Sequence, residues 1–204
     1  MVDIEKIFIN KLPFDIIEHI SIFMNPKELY LCLEKDSEIK KGLEKKYKQE
    51  VYTEAGKDTF LFGEYHSFND EPSRIKDNRG VKSFFWHSLG KLHREGDKPA
   101  YIRGELKMWF IQGELERGDL PCIEKGKLKQ WAINGKRGRK NDLPAIECEQ
   151  GYQWFVDGKR HREGGLPTIV FPGKYIAYHV HGKKIKDELI DKNFRFQTTV
   201  VLII

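Results

Sequence analysis

Up to about residue 60, apolar positions fall at helical spacing. Phe14, Ile17, Ile20 and Phe23 lie three or four apart and predict a short helix over 13–23, with Pro13 and Asp15 in its first turn. Asn25-Pro26-Lys27-Glu28 then supplies an N-cap, a proline at the first helical position and a glutamate at the third. The helix that follows has apolar residues nearly all round, at Leu29, Tyr30, Leu31, Cys32 and Leu33. Ile39, Leu43, Tyr47 and Val51, at spacings of four, predict a third helix over 37–52. Three short helices bury little surface by themselves, so this module wants a partner.

Beyond that point Trp, Gly and Pro recur at a nearly fixed interval. Trp86, Trp109, Trp131 and Trp154 are separated by 23, 22 and 23 residues, and each is followed four residues later by Gly90, Gly113, Gly135 or Gly158. Pro99, Pro121, Pro144 and Pro167 mark the same place in each unit. A degenerate copy precedes them, with Gly63, His66, Asp70 and Pro72. A last one follows, with Tyr178 at the Trp position and Gly182 at the turn, giving about six units.

Each unit has the pattern of a β-hairpin. Asn134-Gly135 and Asp157-Gly158 between apolar flanks suit a type I′ turn, which needs positive φ at both central positions. Period-two alternation puts Trp154 with Val156, Trp131 with Ile133 and Trp109 with Ile111 on one sheet face. A short further strand is predicted over 168–171. Stacked units then form an antiparallel β-meander with a structural ladder of Trp86, Trp109, Trp131, Trp154 and Tyr178 along one face, buried only by stacking. The fold class is α+β: helical domain 1–52, hairpin-repeat array 53–190 and C-terminal strand or cap 191–204. The strands expected over 194–196 and 200–204, or the helices, are candidates to cover the ladder.

Composition narrows the function classes. Of 204 residues 12% are aromatic, enough for a real core, while a mean hydropathy of -0.60 implies that the core is thin. Lys+Arg of 36 against Asp+Glu of 31 leaves +5, a mild excess that allows acidic partners without demanding them and predicts no specific nucleic-acid binding. Cys32, Cys122 and Cys148 have no CxxC spacing, so neither a disulfide framework nor a zinc ribbon is expected. With no leader-like start and no long apolar run, the expected location is cytoplasmic or nuclear rather than secreted.

The string Leu12-Pro13-x-Asp15-Ile16-Ile17-x-x-Ile20, followed by Asn25-Pro26-x-Glu28-Leu29 and Leu33, resembles an F-box, the helical module that docks onto the Skp-type adaptor of cullin-RING ubiquitin ligases. The match covers residues 8–50. The resemblance implies that Leu12, Pro13, Ile16, Ile17 and Ile20 contact the adaptor. The tryptophan common near the end of the family's third helix is absent, with Tyr47 or Tyr52 in its place.

The array over 58–186 is similar to MORN-type repeats, and closer to their divergent relatives with a Trp...Gly-Lys...His-Arg-Glu...Asp...Pro-Ala pattern. Those relatives occur, often behind an F-box, in large DNA viruses of protists. Here Trp opens the unit where a typical one has Tyr-x-Gly, and Arg or Glu follows the histidine, which weighs against the membrane binding proposed for that family.

The candidate chemistry is modest. His93-Arg94-Glu95 and His161-Arg162-Glu163 recur once per unit, which points to structure rather than catalysis. His179-x-His181 on a strand would share a face, with His161 approaching, but no third metal ligand stands at a defined spacing. No Walker loop, nucleophile elbow or HExxH occurs, and no enzyme active site, metal or cofactor is expected. The residues after each turn, Lys136, Arg137, Arg139, Lys159, Arg160, Arg162 and Lys183, form a candidate partner-binding basic stripe, with Asp97, Asp119, Asp142 and Glu163 close enough in sequence to neutralise it.

The expected function is a non-enzymatic adaptor whose F-box meets a Skp-type adaptor and cullin ligase while the array binds a target protein. The alternatives are a structural or virion-associated scaffold with a helical cap, and anionic-membrane binding through the stripe. The apolar ending leaves room for a homodimer through strand pairing.

Overall fold

The computed structural model describes residues 24–35 and 37–189. The helix expected over 13–23 and the terminal strands expected beyond 190 lie outside these residues.

Helix α1 (Pro26–Cys32) starts as its sequence requires: the Asn25 carboxamide oxygen accepts the Lys27 N–H at 2.9 Å, and proline stands in the first turn. Leu29 and Leu33 are buried against Ile39 and Leu43 of helix α2 (Glu38–Tyr47), the spacing of four that predicted α2. That helix stops at Tyr47, short of the expected 52. Lys48–Thr53 is a strand paired with Gly56–Leu61, so Val51 belongs to a hairpin and the helical period was extrapolated one turn too far. The Lys48–Thr53 segment reads Lys-Gln-Glu-Val-Tyr-Thr, whose β-branched and aromatic end suits an exposed strand.

The rest of the described chain is an antiparallel meander. Eleven strands form one sheet in the order Lys183–Leu189, Tyr175–Val180, Ile169–Phe171, Gly151–Gln153, Ile146–Cys148, Leu128–Gln130, Ile123–Lys125, Leu106–Met108, Tyr101–Arg103, Val81–Phe85 and Arg74–Asn78. The expected strand over 168–171 is Ile169–Phe171. Between successive pairs of sheet strands the chain leaves the sheet to make a short second hairpin: 87–92, 110–115, 132–137 and 155–160. Each unit therefore contributes two strands to the sheet and one hairpin to a parallel row.

The row is built on six type I′ turns. Phe62-Gly63, Leu89-Gly90, Gln112-Gly113, Asn134-Gly135, Asp157-Gly158 and His181-Gly182 all have positive φ at both positions. Asn, Asp and Gly take that conformation readily, whereas Phe62, Leu89 and Gln112 hold it against the usual β-carbon clash.

Each tryptophan sits at the junction between a sheet strand and the following hairpin, inside neither. This interrupts the period-two alternation, so Trp109 and Trp131 are buried while Ile111 and Ile133, two residues on, are exposed. The expected sharing of one face by these pairs fails for that reason.

Candidate functional site

The repeated side chains make an interlocking motif in every full unit. The indole N–H of Trp109, Trp131 and Trp154 donates to the backbone carbonyl twelve residues earlier, at Asp97, Asp119 and Asp142 (2.9–3.1 Å), and that of Trp86 to Asp70, sixteen residues earlier. An arginine eight residues after each tryptophan lies over its ring: Arg94, Arg117 and Arg139 at 3.7 Å from the centroid and Arg162 at 4.0 Å. Each of these arginines also donates to the carbonyl of the following proline, at Pro99, Pro121, Pro144 or Pro167. Arg94, Arg117 and Arg162 then fork onto the carboxylates of Asp70, Asp97 and Asp142 in the preceding unit. Their hydrogen bonds hold the Asp70 and Asp97 carboxyls below the usual carboxylate range. Arg139 departs from this pattern and takes Glu147 at 2.7 Å, while Asp119 lies 3.9 Å from Lys140.

Two further columns had a signal in the sequence that period and turn residues alone did not expose. The residue after each unit proline is small and almost fully buried: Ser73, Ala100, Cys122, Ala145 and Thr168. In the four tryptophan units its carbonyl receives the N–H of the tryptophan: Trp86 to Ala100, Trp109 to Cys122, Trp131 to Ala145 and Trp154 to Thr168. Burial pushes the Cys122 thiol up to about 11, leaving it a packing residue. In the second column, a side chain seven residues after the Trp position accepts the N–H of the next turn in three units, while among the described residues the His93 Nδ1 at the same place is buried without a partner and Gly138 has no side chain. His161 Nδ1 takes it from His181, Glu116 Oε2 from Asn134, and His66 Nδ1, in the first unit, from Leu89.

These contacts explain the histidines. His161 stacks on His181 at 4.2 Å and its Nε2 meets Glu163. His181 is a turn residue rather than a strand residue, and His179 is turned to the Thr168 hydroxyl at 2.7 Å. His66 and His87 are each pushed down to about 4, chiefly by burial and secondarily by a nearby cation, Lys40 or Arg74. Among the described residues no three His, Cys, Asp or Glu side chains are grouped to hold a metal ion.

The expected basic stripe divides in two. Arg139 and Arg162 are committed to the tryptophan rings and to Glu147 and Asp142. Lys136, Arg137, Lys159, Arg160 and Lys183 are exposed, and among the described residues none of them reaches a carboxylate. Arg137 and Arg160 donate to the carboxamide oxygens of Gln130 and Gln153 and flank the Phe155 ring at 4.8 and 5.5 Å. The lysines occupy the first position after each turn, a column that reads Glu64, Lys91, Glu114, Lys136, Lys159, Lys183 along the row. Their stems lie in register: Lys91, Lys136 and Lys159 put a β-carbon 3.7–3.9 Å from where a side chain would begin on Gly113, Gly158 and Gly182 of the next unit.

Opposite each of these positions stands the residue before the turn. Ile133 pairs with Lys136, Val156 with Lys159 and Val180 with Lys183, and cross-strand partners point to the same face. Ile133, Val156 and Val180 are 38%, 45% and 48% exposed. One face of the row thus presents an apolar column beside a lysine column.

The two helices meet the opposite end of the row. The Phe62 ring lies 5.6 Å from Tyr30 and 5.0 Å from Tyr47, Lys27 bridges to Glu64, and Lys35 bridges to Glu95. The expected adaptor contacts Leu12, Pro13, Ile16, Ile17 and Ile20 fall outside the described residues. No helix among the described residues is long and apolar enough to cross a membrane. Compared with protein-family models, with curated proteins and with solved structures, the chain gives no match.

Proposed function

We propose that the chain is a non-enzymatic interaction adaptor, with a segment around Leu12-Pro13 and Ile16-Ile17 that docks onto a Skp-type adaptor of a cullin ligase and a repeat array that captures a protein. The observation that carries the capture role is the division of the charges. The Trp-stacked arginines are satisfied within the array, three by aspartates and Arg139 by Glu147, while among the described residues the exposed lysines of the post-turn face at its far end, beside β-branched side chains, reach no carboxylate. The histidines support a structural role, since His66, His87, His161 and His179 are each engaged in hydrogen bonds that hold turns or strands. The docking role rests on the F-box-like string and on the Asn25-capped helix α1 that follows it.

Pull-down of the tagged chain with a eukaryotic Skp-type adaptor and cullin tests the docking. Binding that disappears in a Leu12→Ala, Pro13→Ala variant is expected, and equal or absent binding by both proteins would overturn it.

One observation favours a second reading. Tyr30 and Tyr47 close over Phe62 at the first turn of the row, as a cap on a repeat scaffold would. In that reading a chain with Ile16→Asp and Ile17→Asp keeps its function.

A further inference from the structure

Six hairpins place the same pair of positions beside the turn, one before and one after it, yet their chemistry changes along the row, from Leu61, which is fully buried, to the exposed Ile133, Val156 and Val180. At the first three hairpins the pairs are Leu61–Glu64, Ser88–Lys91 and Ile111–Glu114, with charge alternating in sign. At the last three they are Ile133–Lys136, Val156–Lys159 and Val180–Lys183, an apolar residue beside a lysine each time. Three like charges in succession repel one another. The array does not relieve this as it relieves its other cations: among the described residues none of the three lysines meets a carboxylate, and Arg137 and Arg160, on the other face of the same hairpins, meet only carboxamide oxygens. The surface is complementary to negative charge.

The spacing selects the shape of what can lie there. Successive hairpins are tied by the N–H of Gly158 to the carbonyl of Arg137 and of Gly182 to Arg160, both 2.8 Å, so the pairs repeat every two strand spacings, about 10 Å. An extended peptide in the polyproline II conformation turns once every three residues and rises about 3.1 Å per residue, roughly 9 Å per turn, so every third residue of such a peptide running along the row faces a new lysine. The apolar column alongside is unsuited to a sugar-phosphate backbone and suits side chains of a peptide.

We propose that the face formed by Ile133, Lys136, Val156, Lys159, Val180 and Lys183 binds an extended acidic peptide with Asp or Glu at every third position and an apolar residue beside each. This rests on the reading of the array as a capture surface, and it names the chemistry of what is captured. The carboxylates pair with the three lysines, and the apolar side chains cover Ile133, Val156 and Val180.

The test uses the full chain and a fluorescent peptide in which glutamate recurs at every third position with isoleucine next to it, read by anisotropy. The decisive variant is Lys136→Glu with Lys159→Glu and Lys183→Glu; glutamate already fills this slot at Glu64 and Glu114, so the turns tolerate it. A second variant, Ile133→Ser with Val156→Ser and Val180→Ser, uses the residue present at Ser88. Expected are saturable binding that weakens with salt, a loss of about tenfold or more in the lysine variant on the scale of three screened ion pairs, and a smaller loss in the serine variant. Equal binding by wild type and lysine variant overturns the proposal. So does absence of peptide binding, including the case where an oligonucleotide or an anionic vesicle binds instead. The Skp-type pull-down run on the lysine variant separates the two ideas: adaptor binding retained with peptide binding lost supports this site, whereas a wild type that binds peptide but no adaptor supports this site and sinks only the docking role.

Discussion

Arg117 lies 3.7 Å above the Trp109 ring and grips Asp97, whose own backbone carbonyl receives the Trp109 indole N–H. One aspartate of the preceding unit thus holds both the tryptophan and the arginine that covers it. Arg94 with Trp86 and Asp70, and Arg162 with Trp154 and Asp142, repeat the arrangement.

Arg117→Ala therefore removes a cation–π contact and a forked ion pair together. We expect a loss of about 1–3 kcal/mol, read as a lower urea midpoint, with Arg117→Lys recovering little because lysine lacks the fork. A double-mutant cycle of Arg117 with Asp97 should show coupling, whereas Arg139 with Asp119 should show none, since Asp119 contacts Lys140 instead. Equal coupling in the two cycles would contradict the motif.

The turns offer a gain of stability. Gln112 is exposed and held at φ 50° in a type I′ turn. Gln112→Asn should raise the melting temperature by an amount equivalent to roughly 0.5–1 kcal/mol, while Asn134→Ala should lower it. An unchanged melting temperature in both variants would count against strain at this position.

Glycines divide by what surrounds them. A β-carbon on Gly151, whose φ is +142°, would overlap the Val170 carbonyl oxygen on the adjacent sheet strand, while Gly80 has open space around it. Gly151→Ala should cost more than about 2 kcal/mol and loosen the pairing of Tyr152 with Val170. Gly80→Ala should cost about 1 kcal/mol through its positive φ alone. Hydrogen exchange at 151–153 and 169–171 distinguishes local opening from global loss.

Acid should weaken the fold before the carboxylates titrate. His66 and His87 are pushed down from 6.5 to about 4 in the folded chain, so between these values the unfolded chain binds more protons and stability falls as pH falls. The contribution is complete above about pH 6.5 and is lost toward pH 4. Below that, protonation of Asp70 and Asp97 acts in the same direction. Melting temperatures from pH 7 to 4 should show the decline, and His66→Gln with His87→Gln should flatten it; an equally steep decline in that variant would rule out these two groups as its source.

The array's periodicity was legible because it is written in residues with few conformational options. Glycine at each hairpin turn and proline before the first sheet strand of each unit mark the two-hairpin unit directly. The tryptophan's place was harder to read. Alternation assumes an unbroken strand, and nothing in Trp131-Ala132-Ile133 announces that one ladder ends at Gln130 and another opens at Ala132, with Trp131 between them. The end of α2 was misread for a similar reason, as Val51 continues a helical period by chance. Of the candidate surface, the lysine positions were visible in sequence. Their separation from Arg139 and Arg162 was not, because it depends on rings and carboxylates brought in from other units.

The bonds that the turn glycines and the stacked arginines make along the hairpin row run one way. Gly90, Gly113, Gly158 and Gly182 all give their N–H to a carbonyl of the hairpin before them, and Arg94, Arg117 and Arg162 likewise reach backward to an aspartate. In these contacts a unit leans on its predecessor, although at the first hairpin Ser67 also gives its N–H forward to His87 at 2.8 Å. Shortening the row from the Lys183 side leaves behind carbonyls that water can satisfy, whereas cutting into it from the Phe62 side strands a guanidinium above each exposed indole.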